Sequence, residues 1–245
     1  KILEISTQQL INISDTPALD CEVLLLYVLN NFPQSNNYNR AFLRTWPEHE
    51  LNSDQLDIFE NYICQRLKGK PIAYITGFKE FWSLNLQVNK ETLIPRPDTE
   101  ILVEQALELI PKNAHWNILD LGTGSGAIAL AIASEREHCH IFACDHSFLA
   151  ISMAKKNALR LNITNCYFIN AHWLNAIKDH SFQIIVSNPP YIRENDPHLK
   201  QTELQYEPIT ALTSTNNGLH DLQQIIQSST TKLIDCAYLI LEHGY

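Results

Sequence analysis

Ser187-Asn188-Pro189-Pro190-Tyr191-Ile192 is the stretch of this chain whose residue types can do chemistry. It follows Phe182-Gln183-Ile184-Ile185-Val186, an apolar, β-branched run of strand length, and the two prolines forbid further sheet pairing after it. A residue before proline is driven into extended geometry, so Asn188 is held out of the helical region with its side-chain amide aimed. A planar NH2 group, on an amide or on a nucleobase, has a delocalised lone pair and is a poor nucleophile. Two acceptors, the Asn188 side-chain oxygen and the Pro189 carbonyl, can take its two N–H bonds, hold the nitrogen in line with a methyl donor and raise electron density on it. Tyr191 offers a face on which the flat group stacks. Asn188, Pro189 and Tyr191 are therefore the candidate catalytic residues, and with Pro190 they form the candidate substrate contacts. No strong base is needed.

The second constellation is Asp120-Leu121-Gly122-Thr123-Gly124-Ser125-Gly126, at the end of one strand-like run and the start of a helical pattern. Glycines turn the backbone tightly and leave room for an adenosine-bearing cofactor. The spacing is Gly-x-Gly-x-Gly after an acidic residue, whereas a dinucleotide loop prefers Gly-x-Gly-x-x-Gly. The acidic Asp120 would repel a pyrophosphate and suits the ammonium of a methionine moiety. Asp145 lies 19 residues past Gly126, at the end of the next strand, where a carboxylate can accept both ribose hydroxyls. The third strand ends at Asn170-Ala171-His172-Trp173, which by position reaches the adenine, with Ala171 or Trp173 against the ring. Asp120, Gly122, Thr123, Gly124, Gly126, Asp145, His172, Trp173 and Asn188 are the expected cofactor residues.

These segments need a scaffold. Residues 116–245 alternate strand patterns (116–121, 141–144, 167–169, 182–186, 238–241) with helical ones (127–135, 148–161, 221–233) and a short helical piece between 173 and 177. That order implies an α/β fold with a parallel sheet, helices on both faces and ligands at the carboxyl ends of the strands. Residues 1–70 read instead as short helices, with apolar spacing in 18–29 and 54–68, a cap at Asn52-Ser53-Asp54 and a stop at Gly69 and Pro71. Residues 71–92 form a β-ribbon linker, since Leu84, Leu86 and Val88 alternate with polar neighbours. The remainder, 93–245, is the catalytic domain. Its Ile94-Pro95-Arg96-Pro97 entry is either a rigid linker or a place where Arg96 stands beside a ligand.

Composition narrows the class. Hydrophobic residues at 45% and charged residues at 18% are ordinary for a globular chain, and no apolar run reaches the roughly 18–20 residues of a membrane span. With no basic-then-apolar signal segment, the chain is read as cytoplasmic and monomeric. The six cysteines lack zinc or redox spacing and read as small buried hydrophobes, with no metal expected. A formal charge of −9 disfavours direct nucleic-acid binding and suits a basic protein partner.

Glycine loop and Asn-Pro-Pro-Tyr together resemble the Rossmann-like class I S-adenosylmethionine-dependent methyltransferases that modify exocyclic or amide nitrogens. Four segments narrow this: 93–100 (Leu-Ile-Pro-Arg-Pro-Asp-Thr-Glu), 188–192 (Asn-Pro-Pro-Tyr-Ile), 207–212 (Glu-Pro-Ile-Thr-Ala-Leu) and 241–244 (Leu-Glu-His-Gly). They are similar to the PrmC/HemK family of release-factor glutamine methyltransferases, over nearly the whole chain. The resemblance implies transfer of a methyl group from S-adenosyl-L-methionine, leaving S-adenosyl-L-homocysteine. The acceptor would be N5 of the glutamine in the Gly-Gly-Gln motif of class 1 peptide chain release factors, held by the helical module. Asn-Pro-Pro-Tyr by itself also suits a nucleic-acid N6-adenine or N2-guanine methyltransferase. A glycine loop by itself suits a nicotinamide-dependent oxidoreductase, and a non-catalytic cofactor- and protein-binding module is the reading from another class.

Two departures from the family stand out. His172 takes the place of an Asp that accepts the adenine amino group. A neutral imidazole can accept that bond and a protonated one cannot, so cofactor affinity is expected to fall as pH drops below about 6.5; equal dissociation constants at pH 6 and 8 would refute this. The family also continues past Glu-His-Gly with a helix and two antiparallel strands, so the chain reads as truncated at its C-terminus, with a sheet edge left uncovered.

Overall fold

A computed structural model describes residues 1–32, 37–200 and 202–244; residues 33–36 of the helical module, Gln201 and Tyr245 lie outside the described set. The chain forms two units, Lys1–Gly77 and Phe78–Tyr245. No helix among the described residues is long and apolar enough to cross a membrane.

The first unit holds α1 (Ile2–Leu10), α2 (Pro17–Asn30), α3 (Arg40–Thr45), α4 (Ser53–Leu67) and α5 (Ile72–Thr76). Pro17 starts α2, where its fixed φ suits the first turn and its missing N–H costs nothing. At α4 the Asn52 side chain accepts from Gln55 N and the Gln55 side chain accepts from Asn52 N, a reciprocal capping box. Leu10, Leu24, Leu25, Val28, Leu29, Phe59, Ile63 and Ile75 share one apolar core. Within this unit Arg66 donates to Asp20 at 2.7 Å, both side chains nearly out of solvent. The sequence-based boundary at residue 70 differs from the structural one at Gly77, because α5 contributes Ile75 to this core rather than starting the ribbon.

The second unit opens with the ribbon, shorter than expected: β1 (Phe78–Phe81) and β2 (Leu84–Gln87) pair antiparallel. Trp82 and Ser83 make the turn, both with left-handed φ, 51° and 59°. The chain then runs α6 (Thr99–Leu109), β3 (Asn117–Leu121), α7 (Ala127–Glu135), β4 (His140–Asp145), α8 (Phe148–Arg160), β5 (Cys166–Asn170), β6 (Phe182–Ser187), β7 (Ile192–Arg193) and β8 (Thr213–Ser214). A single turn, α9 (Thr215–Gly218), then α10 (His220–Ser229) and β9 (Leu233–Leu241) complete it. Strands β5-β4-β3-β6-β9 form one sheet in that order, parallel throughout, and β7 pairs with β8.

β3 is central, with Ile118, Leu119, Asp120 and Leu121 all buried, which explains its unalternated apolar sequence. From β3 the chain proceeds to β4 on one side and later returns to β6 on the other. The register aligns Leu121 with both Cys144 and Ser187, and Asp145 with Asn170. The glycine loop, Asp145 and Asn188 thus leave the sheet side by side, at the reversal of strand order where such sheets bind ligands.

Four local expectations need correction. The helix expected over 221–233 ends at Ser229, and Leu233 already pairs with Phe182 in β9. That strand looked shorter in sequence because its register shifts between Phe182 and Ile184, with Cys236 at φ 61°, so Asp235 and Cys236 interrupt the strand pattern. Residues 173–176 make a turn rather than a helical piece, opened by Trp173 at φ 45°. Of the cysteines expected to be buried, Cys64 and Cys236 are exposed.

Candidate active site

The loop after β3 is folded by its own hydrogen bonds. Gly122 N and Thr123 N both donate to Cys144 O, at 2.9 and 3.0 Å, and Gly126 N donates to Thr123 O at 2.8 Å. All three glycines have left-handed φ, 71°, 55° and 88°. Gly126 is also required by packing, since a Cβ there would lie 3.0 Å from Leu130 Cδ1 and 3.2 Å from Ala154 Cβ.

Asp120 sits behind this loop and not on the wall of the cavity in front of it. Its Oδ2 accepts from Thr123 Oγ1 at 2.6 Å and from Ala129 N at 3.2 Å, bracing the loop against the start of α7. Its Oδ1 is buried without a partner. Burial pushes the carboxyl up to about 7, against the opposing pull of the Thr123 and Ala129 bonds. An acid whose folded value exceeds its unfolded one, 3.8, stabilises the native state while protonated, and that contribution is lost as pH rises through 7. Asp120→Asn should therefore gain stability relative to the parent between pH 5 and 8, by about 2–3 kcal/mol. Urea unfolding at both pH values checks this; a difference independent of pH would contradict it.

The cavity is about 530 Å³. Gly122, Gly124, Asp145, His146, Ser147, Ala171, His172 and Trp173 line it. Leu93, Asn188, Pro190, Pro208, Thr210 and Thr213 line it as well. A Cβ at Gly124 would meet nothing within 4 Å, so the loop backbone there faces open space. Asp145 accepts from Gly124 N and Ser147 N, both 2.9 Å, one on each carboxylate oxygen, which fixes it at the end of β4. The Trp173 ring lies beside Gly122, its Cζ3 3.5 Å from where a Cβ would stand. Cys144 also lines the cavity, but burial and the neighbouring Asp145 push its thiol up to about 12, so it stays protonated and is no nucleophile.

Behind the Asn-Pro-Pro-Tyr turn stands a set of braces. Ser187 Oγ donates to Leu121 O at 2.7 Å, tying the ends of β6 and β3 together. Asn188 Nδ2 donates to Thr99 Oγ1 at 3.1 Å, so its amide nitrogen is engaged at the start of α6 and Oδ1 is left to accept. Tyr191 OH donates to Glu242 Oε1 at 3.4 Å, and burial with that carboxylate raises the phenol. Gly218 passes so close that a Cβ would come within 2.2 Å of Tyr191 O.

Among the expected site residues, then, Gly122, Gly124, Asp145, His172, Trp173, Asn188 and Pro190 meet in one cavity, while Asp120, Thr123, Gly126, Pro189, Tyr191 and Arg96 are not on its wall. Arg96 has another engagement: Nη2 donates to Glu207 Oε1 at 2.5 Å, and Ile94 N donates to Glu207 Oε2 at 3.0 Å. A carboxylate this deeply buried needs a counter-charge, and together these bonds hold 94–96 against the segment that carries Pro208 and Thr210. Sequence reasoning missed Thr99, Ser187, Glu207, Asp221 and Glu242. It also missed Asn157, whose amide bridges Gln87 and Ser125 O and so ties the ribbon to the glycine loop. Thr99, Glu207 and Glu242 lie inside the segments that carry the family resemblance; Asp221 and Asn157 have no local signal.

Comparison with known proteins matches residues 1–77 to the PrmC N-terminal domain and residues 98–206 to the methyltransferase small domain. A release factor glutamine methyltransferase of Coxiella burnetii is 47% identical over 98% of this chain and 83% of its own length. The chain belongs to the release factor glutamine methyltransferase family. Other family members give the same picture: the Escherichia coli protein is 45% identical over 95% of this chain and 81% of its own, and the Shewanella oneidensis protein 46% over 97% and 80%. The family is one of class I methyltransferases, and the parallel sheet with its glycine loop is the fold expected of them.

Proposed function

We propose that this chain transfers a methyl group from S-adenosyl-L-methionine to N5 of the glutamine in the Gly-Gly-Gln motif of class 1 release factors. The observation that carries the reading is the cavity itself, which has the glycine loop and Asp145 at one end and Asn188 with Pro190 at the other. The residues present suit the cofactor: open backbone at Gly124 for a close approach, a fixed carboxylate at Asp145 for ribose hydroxyls, and carboxylates without Lys or Arg on the wall for a cationic ligand. When bound, the cofactor supplies an activated methyl group.

The chain's own residues do the rest. Asn188 Oδ1, on the cavity wall, accepts one N–H bond of the target amide and orients its nitrogen, and the adjacent Pro189 carbonyl, which is not on that wall, would take the second. Thr99 keeps the Asn188 amide in place, and Tyr191, braced by Glu242, supports the turn that carries it. His172 and Trp173 hold the adenine end. The helical unit Lys1–Gly77 holds the release factor, whose basic, RNA-binding surface suits a chain of formal charge −9.

The test is the partition of labelled methyl among a purified release factor, DNA and transfer RNA offered in turn. Label on the release factor supports the reading. Label on nucleic acid alone replaces it with the base methyltransferase that Asn-Pro-Pro-Tyr would also serve.

A further inference from the structure

We propose that Asp221 makes this cavity discriminate between the cationic methyl donor and its uncharged thioether product, favouring exchange of spent cofactor for fresh. The inference rests on the reading that S-adenosyl-L-methionine occupies the cavity. Asp221 stands in the first turn of α10 and reaches the cavity wall from outside the strand ends that carry the glycine loop, Asp145 and Asn188. Two bonds fix it there: Trp173 Nε1 donates to its Oδ1 at 3.1 Å, and its own backbone N–H donates to Ser214 Oγ at 3.1 Å. Its Oδ2 has no hydrogen-bond partner among the described residues.

The electrostatics of the wall are one-sided. Glu91, Asp145 and Asp221 line it together with His146 and His172, and among the described residues no Lys or Arg does. The sulfonium donor carries one positive charge more than the thioether it becomes, while the two are otherwise nearly the same shape. Contacts with ring, ribose and glycine loop therefore hold both equally, and only groups that sense charge can separate them. Asp145 senses charge too, but each of its oxygens is already bonded to a backbone N–H and it has a ribose to hold. The Glu91 carboxylate is held by nothing stronger than a 3.9 Å ion pair with the exposed Lys90, whereas Asp221 is fixed at the wall by its Trp173 bond with its other oxygen uncommitted.

The bland account is that Asp221 simply positions Trp173 beside Gly122. Asp221→Asn separates the two, because the amide oxygen can still accept from Trp173 Nε1 while the charge is gone. Calorimetric titration of parent and variant with S-adenosyl-L-methionine and with S-adenosyl-L-homocysteine reads the result. We expect the donor's dissociation constant to rise about fivefold and the product's to change less than about twofold, as loss of one charge at several ångström gives in a half-buried site. Equal shifts for both ligands, or none for the donor, would overturn the proposal. If the parent binds neither ligand, the cofactor reading fails first and this inference falls with it.

Discussion

Asn188→Ala is expected to lower methyl transfer by about a thousandfold, the scale of losing one preorganised group at a reacting centre. Cofactor affinity should change no more than roughly twofold, since the side chain acts on the acceptor amide and not on the donor. The structure makes the loss steep because the amide cannot be replaced by a neighbour. Its Nδ2 is already bonded to Thr99 Oγ1, and the two prolines prevent the backbone from bringing another acceptor forward. Single-turnover rates and a cofactor titration on the same preparation check both halves. Equal loss of transfer and of cofactor binding would mean that Asn188 belongs to the donor half of the site.

Gly218→Ala should have the next largest effect, from a position that touches no ligand. Gly218 has φ 86°, and a Cβ there would stand 2.2 Å from Tyr191 O and 2.9 Å from Tyr191 C, a distance at which something must move. It follows Asn216 and Asn217, both also left-handed, at φ 52° and 56°. The two asparagines are the strained residues of this segment, since glycine takes positive φ without steric cost. The methyl group would displace the Tyr191 peptide, and with it the Pro189 carbonyl and Asn188. A displacement of about an ångström at such a site costs on the order of a hundredfold in turnover, and the backbone strain costs about 1–3 kcal/mol of stability. The expected signature is a fall in kcat with cofactor affinity kept, in protein that still unfolds cooperatively. Unchanged kcat would show that the Asn-Pro-Pro-Tyr turn need not be held where Gly218 holds it.

Much of this arrangement was legible in the sequence, for identifiable reasons. Asp120 to Gly126 and Asn188 to Tyr191 are local motifs whose meaning is set by backbone chemistry: glycines that need positive φ, and prolines that end a strand. Ala127–Glu135 was placed correctly because its start, Ala127 to Ala133, is an apolar run of good helix formers directly after a glycine loop, buried against the sheet. What stayed hidden depends on contacts between residues far apart in the chain. Thr99 and Asn188 are 89 residues apart, Arg96 and Glu207 111, and Trp173 and Asp221 48. No local pattern announces such pairs. Arg96, within the Pro-Arg-Pro segment, read as part of a rigid linker or as a ligand neighbour, and the structure pairs it with the buried Glu207 carboxylate.

Asp120 illustrates a subtler gap. Its place before the glycine loop suggested a carboxylate facing the cofactor, and only burial reveals that it braces Thr123 and Ala129 from behind. The carboxylates on the cavity wall are instead Glu91, Asp145 and Asp221.

One cavity brings a methyl donor to a single kind of acceptor, a glutamine side-chain amide. Tandem mass spectrometry of a release factor, after incubation with this protein and S-adenosyl-L-methionine, tests it most directly. One added methyl group is expected, located on the glutamine of the Gly-Gly-Gln motif, and none when that glutamine is replaced. A methyl group on any other side chain, or an unmodified factor in the presence of bound cofactor, would contradict it.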